Sequence, residues 1–196
     1  MLANIVRANR SYRRFYEVNP VGEETLKELV NLARNTPSAA NLQPLKYILS
    51  SDPASNARIF PCLSWAGYLK DWSGPEEGER PSAYIILLGD TEISKSFGCD
   101  QGIAAQTILL GAAEQGLGGC MLGAVDRKRL SEELHIPARY EILLVLALGH
   151  PKEHVVLEEV GPDGDIHYYR DAEGVHHVPK RSLSDVILKL EGANGQ

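Results

Sequence analysis

The segment at residues 100–115 most constrains how this chain folds, because apolar residues occupy nearly every side of the helix that it predicts. Ile103 and Leu109, for example, lie on different sides of such a helix. A helix of this kind is buried on most faces, either in the core or against a second subunit. Gln106 and Thr107 interrupt its apolar run, which is too short to span a bilayer.

Two other apolar runs predict buried strands. Residues 83–88 form one run between turn signals, which is typical of a central strand, and residues 141–148 form the second. Shorter patterns predict strands at residues 45–49 and 120–122, and helices at the N-terminus and at residues 23–35, 126–134 and 183–190. Together these elements predict an α/β (α+β) fold in which a central mixed sheet is flanked by helices.

We expect a single domain over residues 1–196, with residues 152–196 as a C-terminal arm. Asp-Gly and Glu-Gly turns divide this arm into short β-like pieces, which predicts exposed hairpins. Residues 54–69 predict two short helices separated at Pro61. Residues 71–81 are rich in glycine, proline and charge, which suits a surface crossover or a lid.

Composition excludes several classes of protein. The chain has 196 residues, of which 43% are hydrophobic, and a net charge of −6. A general nucleic-acid or membrane-surface binder needs a basic face, so we expect neither partner, and any positive site must be local. The three cysteines are widely spaced and form no C-x-x-C, which predicts reduced thiols in the cytoplasm. The N-terminus also lacks the pattern of a signal peptide.

The sequence contains no recognisable pattern for metal or nucleophilic catalysis. None of the six histidines has the spacing of a metal-ligand pair, and no G-x-S-x-G occurs. We therefore expect no metal site. An enzyme without these groups often takes its chemistry from an organic cofactor.

The stretch at residues 10–15 is locally basic. Arg10, Arg13 and Arg14 lie within five residues of one another, together with Ser11. A guanidinium matches the oxygens of phosphate and a hydroxyl adds a hydrogen bond, so the stretch is a candidate phosphate site. The alternative is a solvated helix end with loose basic side chains. Further along the chain, the pair Lys180-Arg181 contributes to this candidate site only if the C-terminal arm folds back toward residues 10–15.

The segment at residues 36–44 predicts a small, polar loop bounded by prolines. Its backbone amides can face a ligand, and the side chains of Asn41 and Gln43 suit the edge of a heterocycle with alternating donors and acceptors. The alternative is an ordinary connection from a helix to a strand. The glycine-rich turn at residues 116–119 is either a helix cap or a close approach of backbone to a flat or anionic ligand.

Taken in order, five segments resemble the FMN-dependent nitroreductase family. Residues 9–15 (NRSYRRF) are similar to its N-terminal R-R-S-x-R-x-F signature, and residues 37–44 (PSAANLQP) to its P-S-x-x-N-x-Q-P segment. The other three, residues 100–123, 146–151 and 179–183, resemble its central helix with the glycine turn, the strand end that closes its core and its C-terminal basic segment.

The resemblance implies a homodimer with two FMN sites at the subunit interface. It also implies hydride transfer from NADH or NADPH to the flavin, and then to a small electron-poor acceptor such as a nitroaromatic or a quinone. Arg10 and Ser11 would hold the FMN phosphate, joined by Lys180 and Arg181. Arg13 would lie near the N1/O2 edge of the flavin, and Arg14 would be a surface charge.

The remaining implied contacts lie around the ring. The loop would contribute Pro37, Ser38, Ala39, Asn41 and Gln43, of which Ser38, Ala39 and Asn41 reach the flavin from the partner subunit. Leu122 and Gly123 would pass under the ring. No catalytic side chain is implied, because the flavin performs the chemistry.

Two features depart from the family pattern. Asn9 and Lys180 stand where many members carry arginine. The segment that usually shapes the substrate pocket, residues 50–82, matches no motif. Trp65 and Tyr68 are candidates to line that pocket, and the alternative for both is core packing.

Two other functions also stay open. One is a flavoenzyme that carries out reductive dehalogenation or flavin breakdown, and the other is a flavin-binding module without turnover.

Overall fold

The computed structural model of the chain describes residues 2–188. The chain divides into two compact units, residues 1–152 and residues 153–196. The first unit contains a four-stranded sheet and five α-helices, and the second contains a small three-stranded sheet. The predicted α+β class is confirmed.

The sheet of the first unit has the order β1-β2-β4-β3 and antiparallel pairing throughout. Its strands are β1 (Leu45–Ser50), β2 (Ala83–Asp90), β3 (Gly118–Leu122) and β4 (Tyr140–Gly149). Every residue of β2 is buried, as its apolar run predicts. An isolated parallel bridge joins Ser11 to Gly119 at the β3 edge, so both pairing directions occur there.

The five helices of the first unit are α1 (Leu2–Ala8), α2 (Glu23–Ala33), α3 (Pro53–Ile59), α4 (Asp100–Glu114) and α5 (Arg127–Leu134). Side chains alternate between the two faces of a strand, and β2 shows this directly. Ile85 and Leu87 belong to the core cluster that includes α2 and α4, whereas Ile86 and Leu88 belong to a second cluster on the other face.

Helix α4 is buried on most faces but not on all. It buries Ala104, Ala105, Ile108 and Leu109, whereas Ile103 remains 37% exposed. Helix α1 packs against α4 and buries none of its own residues. A single chain therefore leaves an apolar surface on this pair of helices.

The prediction of two helices over residues 54–69 is wrong in its second half. Helix α3 ends at Ile59 and is followed by a single 3₁₀ turn, Phe60–Cys62. Residues 63–69 contain no helix, because Leu63 takes an extended conformation and pairs with Val125. A long-range pairing thus decides the conformation here.

The second unit orders its strands as β5-β7-β6, with β5 (Val155–Glu159), β6 (Tyr169–Arg170) and β7 (His176–Lys180). Strands β6 and β7 form an antiparallel hairpin, as predicted, but β5 pairs with β7 in parallel. Helix α6 covers only Leu183–Val186, since Ile187 is extended. The last residues of the helix predicted at 183–190 lie outside the described residues.

None of the helices described at residues 2–188 is long and apolar enough to cross a membrane. The described residues also contain no group of three or more histidine, cysteine, aspartate or glutamate side chains suited to a metal ion. All three cysteines are free thiols, with Cys99 exposed and the other two buried.

Candidate functional site

The basic stretch leaves α1 and runs beside β3. Ser11 forms a parallel bridge with Gly119, whose carbonyl accepts a hydrogen bond from the Tyr12 backbone N–H at 3.0 Å. A Cβ at Gly118 would lie 2.5 Å from the Tyr12 ring, and a Cβ at Gly119 would lie 2.7 Å from the Ala147 carbonyl oxygen. These two glycines therefore admit the protein's own chain rather than a ligand.

Arg10 has one satisfied and one unsatisfied nitrogen. Its Nη2 donates to the Val6 carbonyl of α1 at 2.7 Å. Its Nε is buried and has no hydrogen-bond partner among the described residues, while the neighbouring Ser11 is exposed. A buried guanidinium N–H without an acceptor is costly, and an anionic oxygen beside an available hydroxyl satisfies it. The donor set fits the phosphate of FMN, and we call Arg10 and Ser11 the anion patch.

Arg14 is not the surface charge predicted from the sequence. Its Nε and Nη2 donate to the two carboxylate oxygens of Glu79 at 2.5 and 2.6 Å, and Lys152 Nζ lies 2.8 Å from Oε1. The hydrogen bond from Arg14, aided by Lys152, lowers the pKa of Glu79 to about 2. The charge of Arg14 is thus compensated within the protein, whereas Arg13 donates to the Ser11 carbonyl at 3.2 Å.

The end of the segment at residues 71–81 is fixed to the basic stretch. Besides the Arg14 pair, the Phe15 N–H donates to the Glu79 carbonyl at 3.0 Å. The Glu17 carboxylate accepts the Gly78 N–H at 2.6 Å. This end of the segment is therefore a tethered surface crossover.

The loop at residues 36–44 is anchored on Asp100, the first residue of α4. Asp100 accepts the Ser38 hydroxyl at 2.5 Å and the Ala39 N–H at 3.1 Å. The Ser38 oxygen in turn accepts the Gln43 N–H at 2.9 Å. We call the loop segment from Ser38 to Gln43 the amide patch.

Asp100 is a residue of this site that the sequence reasoning missed. The sequence pattern predicts only that this residue opens the helix, yet it is only 6% exposed. The available signal was a carboxylate opening an otherwise apolar helix. The pKa of Tyr47 is raised mainly because its side chain is partly buried, and the negative charge of Asp100 raises it further. Both side chains line a cavity of about 210 Å³ beneath the loop.

Leu122 and Gly123 occupy the end of β3 and the residue after it. The Leu122 side chain is 5% exposed and belongs to the second core cluster. Gly123 is exposed, and a Cβ at this position would have no heavy atom of the described residues within 4 Å, its chain neighbours aside. The backbone at Gly123 therefore has room for a flat ligand.

Trp65 and Tyr68 lie in different environments. Trp65 is 8% exposed, its ring centroid is 5.9 Å from that of Phe60, and a Cβ at Gly74 would lie 2.6 Å from it. Tyr68 is 47% exposed. The structure packs Trp65 into the core and leaves Tyr68 at the surface, and their role in a substrate pocket stays a prediction.

Lys180 and Arg181 belong to the second unit. Lys180 ends β7, where its carbonyl accepts the Val160 N–H at 3.0 Å, and Arg181 follows it. Both side chains are exposed. Their contribution to a phosphate site stays a prediction.

The anion patch and the amide patch are separated along α4. The amide patch is held by Asp100 at the start of the helix, whereas Gly119, beside Ser11, packs against Leu109. Nine residues of α-helix correspond to about 13 Å along the axis. One chain thus presents two distinct patches rather than one closed cluster.

The sequence profile of the nitroreductase family matches residues 6–68 and 86–150, so the chain belongs to this family. A protein of Archaeoglobus fulgidus with the provisional name NADH dehydrogenase/NAD(P)H nitroreductase is 28% identical, over 71% of this chain and 80% of that one. The NADH dehydrogenase of Thermus thermophilus is 27% identical over 74% and 83% of the two chains. The 5,6-dimethylbenzimidazole synthase of Rhodospirillum rubrum is 23% identical over 75% and 81%.

Solved structures share the fold. An FMN-dependent nitroreductase of Clostridium difficile superposes with a TM-score of 0.64 at 24% identity, over 78% of this chain and 88% of that one. A nitroreductase family protein of Streptococcus pneumoniae gives a TM-score of 0.69 at 16% identity, over 97% and 100% of the two chains.

Proposed function

We propose that this protein is an FMN-dependent oxidoreductase that uses NADH or NADPH to reduce a small electron-poor acceptor such as a nitroaromatic or a quinone. The observation that carries the proposal is the Nε of Arg10, which is buried and without a hydrogen-bond partner among residues 2–188, beside the exposed Ser11 in a chain of this family. When bound, the flavin would supply the hydride chemistry, taking a hydride from the nicotinamide and giving it to the acceptor.

In this proposal the anion patch holds the phosphate. The guanidinium of Arg10 and the hydroxyl of Ser11 both supply charge-assisted hydrogen bonds, because the phosphate is ionised, and the family resemblance adds Lys180 and Arg181 as further positive charges. Arg13 stabilises negative charge at the N1/O2 edge of the ring, because a fixed cation favours the anionic form of a reduced flavin. The protein thereby binds and tunes the cofactor.

A second copy of the chain completes the site. Asp100, which holds the amide patch, and Leu109, which packs on Gly119 beside Ser11, are about 13 Å apart along the axis of α4. We infer that a homodimer apposes the amide patch of one chain to the anion patch of the other. Gly123 offers open backbone from one chain, and Asn41 of the partner subunit offers a side-chain amide on the loop that also carries Ser38 and Ala39.

An exposed apolar surface supports this dimer. Leu2 and Val6 of α1 are 67% and 43% exposed, and α1 packs on α4, where Ile103 is 37% exposed. Apolar surface of this kind is typical of an interface between subunits.

We place the protein in the cytoplasm. Its three cysteines are free thiols, which is in keeping with a reducing compartment.

An absorbance spectrum of the purified protein tests the proposal first. We expect the spectrum of bound FMN, and oxidation of NADH or NADPH when a nitroaromatic or quinone is present. Colourless protein that takes up no added FMN would show that the proposal is wrong.

Another flavin chemistry is the second candidate, since the similar Rhodospirillum rubrum protein is named as a synthase rather than a reductase. Product analysis in air and under anaerobic conditions separates the two: loss of the flavin itself in air would favour the second candidate. Bound FMN that neither nicotinamide reduces would instead indicate a binding module without turnover.

A further inference from the structure

The amide patch has an unusual backbone that needs external support. Ala40, Asn41 and Gln43 have φ values of 49°, 55° and 51°, in the left-handed region that side chains disfavour. The Asn41 and Leu42 N–H groups close a local turn on the Ser38 and Ala39 carbonyls, but these bonds do not fix three left-handed residues against the rest of the fold. Contacts outside the run must therefore select this conformation.

Asp100 supplies those contacts through a directional relay. An ionised carboxylate only accepts hydrogen bonds, so the Ser38 hydroxyl must donate its hydrogen to Asp100. The lone pairs of the Ser38 oxygen are then available to the Gln43 N–H, and the second Asp100 oxygen accepts the Ala39 N–H. One carboxylate thus fixes both ends of the left-handed run.

The anchor itself is rigid. Asp100 is 6% exposed and opens α4, whose following turns are packed in the core. The partial positive charge at the start of a helix favours a carboxylate there. The loop is therefore tied to a well-packed element of the fold, which is how precise sites are held.

The relay also determines which polar group the loop presents. Gln43 Nε2 donates to the backbone and side-chain oxygens of Asn41 at 3.1 and 3.2 Å. The side-chain nitrogen of Asn41 makes no hydrogen bond within the described residues, and Asn41 is an exposed residue. The loop thus presents the side-chain nitrogen of Asn41 as a donor, while the side-chain oxygen of Asn41 already accepts a hydrogen bond from Gln43.

We propose that Asp100 is a positioning residue that acts through Ser38 to hold the amide patch in the conformation that meets the flavin ring. This inference rests on the proposed function for its ligand, but the ordering of the loop by Asp100 does not. Asp100 touches neither flavin nor substrate in this proposal.

The first test uses the full chain without flavin. In Asp100→Ala and in Ser38→Ala, the amide of Gln43 is expected to exchange hydrogen about tenfold faster than in the wild type. The double variant should add little to either single change, because both remove the same relay. Ser38→Thr keeps the hydroxyl and should restore slow exchange.

The second test uses the flavin-loaded protein. Asp100→Ala should weaken FMN and riboflavin by the same factor, about tenfold, because the amide patch meets the ring and not the phosphate. The midpoint potential of the bound flavin should shift as well, which a general loss of stability would not cause. Where Asp100→Ala fails to fold, Asp100→Asn keeps the shape and should shift the same readouts less.

Asp52→Ala is the matched control. Asp52 opens α3 and accepts the Ser55 N–H at 2.9 Å, but it follows β1, whereas the loop precedes that strand. This variant should leave the exchange of Gln43 and the flavin potential unchanged. Wild-type exchange of Gln43 in Asp100→Ala, or unchanged flavin affinity and potential, would overturn the inference. A wild-type chain that binds no flavin rejects the proposed function, and the exchange experiment then decides the role of Asp100 alone.

Discussion

Arg10 and Arg14 lie four residues apart, and the fold gives their guanidinium groups opposite surroundings. Arg14 is neutralised by Glu79, whereas Arg10 keeps a buried nitrogen without a partner among the described residues. The same residue type thus forms an ion pair within the fold at one position, and at the other it keeps a donor for the phosphate site that we propose. A charge count along the sequence does not separate the two roles.

The arginines of the basic stretch should differ when replaced. Arg10→Ala should weaken FMN binding by about 1.5–3 kcal/mol, the range for a charge-assisted hydrogen bond, and leave riboflavin binding nearly unchanged. Arg13→Ala should retain more FMN but make its reduction harder, as measured by the midpoint potential. Arg7→Ala, at the exposed end of α1, is the control. If all three variants match the wild type, the stretch is only a solvated helix end.

Glu79 should make the free energy of unfolding depend on pH in the acid range. Arg14 and Lys152 lower its pKa in the folded state to about 2 from an ordinary 4.5. Its contribution is therefore fully present above about pH 4.5 and is lost as the pH falls toward 2. Urea unfolding at several pH values should show this loss in the wild type, by about 1–3 kcal/mol, and less of it in Glu79→Gln. Glu76→Gln, in the same segment, should behave like the wild type.

At the scale of elements, His177 joins the three strands of the second unit. Its ring nitrogens lie 3.2 Å from Glu158 on β5 and 3.0 Å from Asp171 after β6, and its ring stacks on that of Tyr169 at 4.7 Å. Only the protonated imidazole donates to both carboxylates. The charge state of one side chain therefore controls a link among these strands.

The second unit should loosen as the pH rises. Hydrogen bonding to Asp171 and Glu158 raises the pKa of His177 above its ordinary 6.5. The contribution of protonated His177 to the stability of the second unit is complete below pH 6.5. It is lost as the pH rises through the raised pKa of His177. Protection factors of β7 amides between pH 5.5 and 8.5 measure this loss. His177→Gln should abolish the dependence, and His135→Asn, at a left-handed position that Asn tolerates, should preserve it.

At the scale of the whole molecule, the flavin site that we propose is incomplete in one chain. The two patches lie apart along α4, and the surface shared by α1 and α4 stays apolar and exposed. Binding and assembly should therefore be linked, since a ligand held by two chains stabilises the dimer.

A charge on the exposed side of α4 should separate the chains. Ile103→Lys should convert a dimer to a monomer in light scattering and lower flavin affinity at the same time. Ile93→Lys is the matched control, because Ile93 is similarly exposed, at 40%, but follows β2 and belongs to neither helix. A wild-type monomer that holds FMN tightly would contradict the shared site.

The sequence by itself determined the main elements and the family. The apolar runs of β2, β4 and α4 report burial directly, because a strand or helix without a polar face has to be covered. The basic stretch and the proline-bounded loop are likewise recognisable as candidate binding segments, because their residue types indicate the chemistry locally. The five ordered segments led to the nitroreductase family, and the comparisons confirm it.

Only the tertiary structure decided which of these groups meet. Arg14 and Glu79 are 65 positions apart, and Ser38 and Asp100 are 62 apart. Leu63 is extended because it pairs with Val125, against a local pattern that favoured a helix. Periodicity and composition describe neighbours along the chain, whereas ion pairs, hydrogen-bond relays and strand pairing depend on neighbours in space. For that reason only the fold revealed that Glu79 pairs with Arg14 and that Asp100 anchors the amide patch.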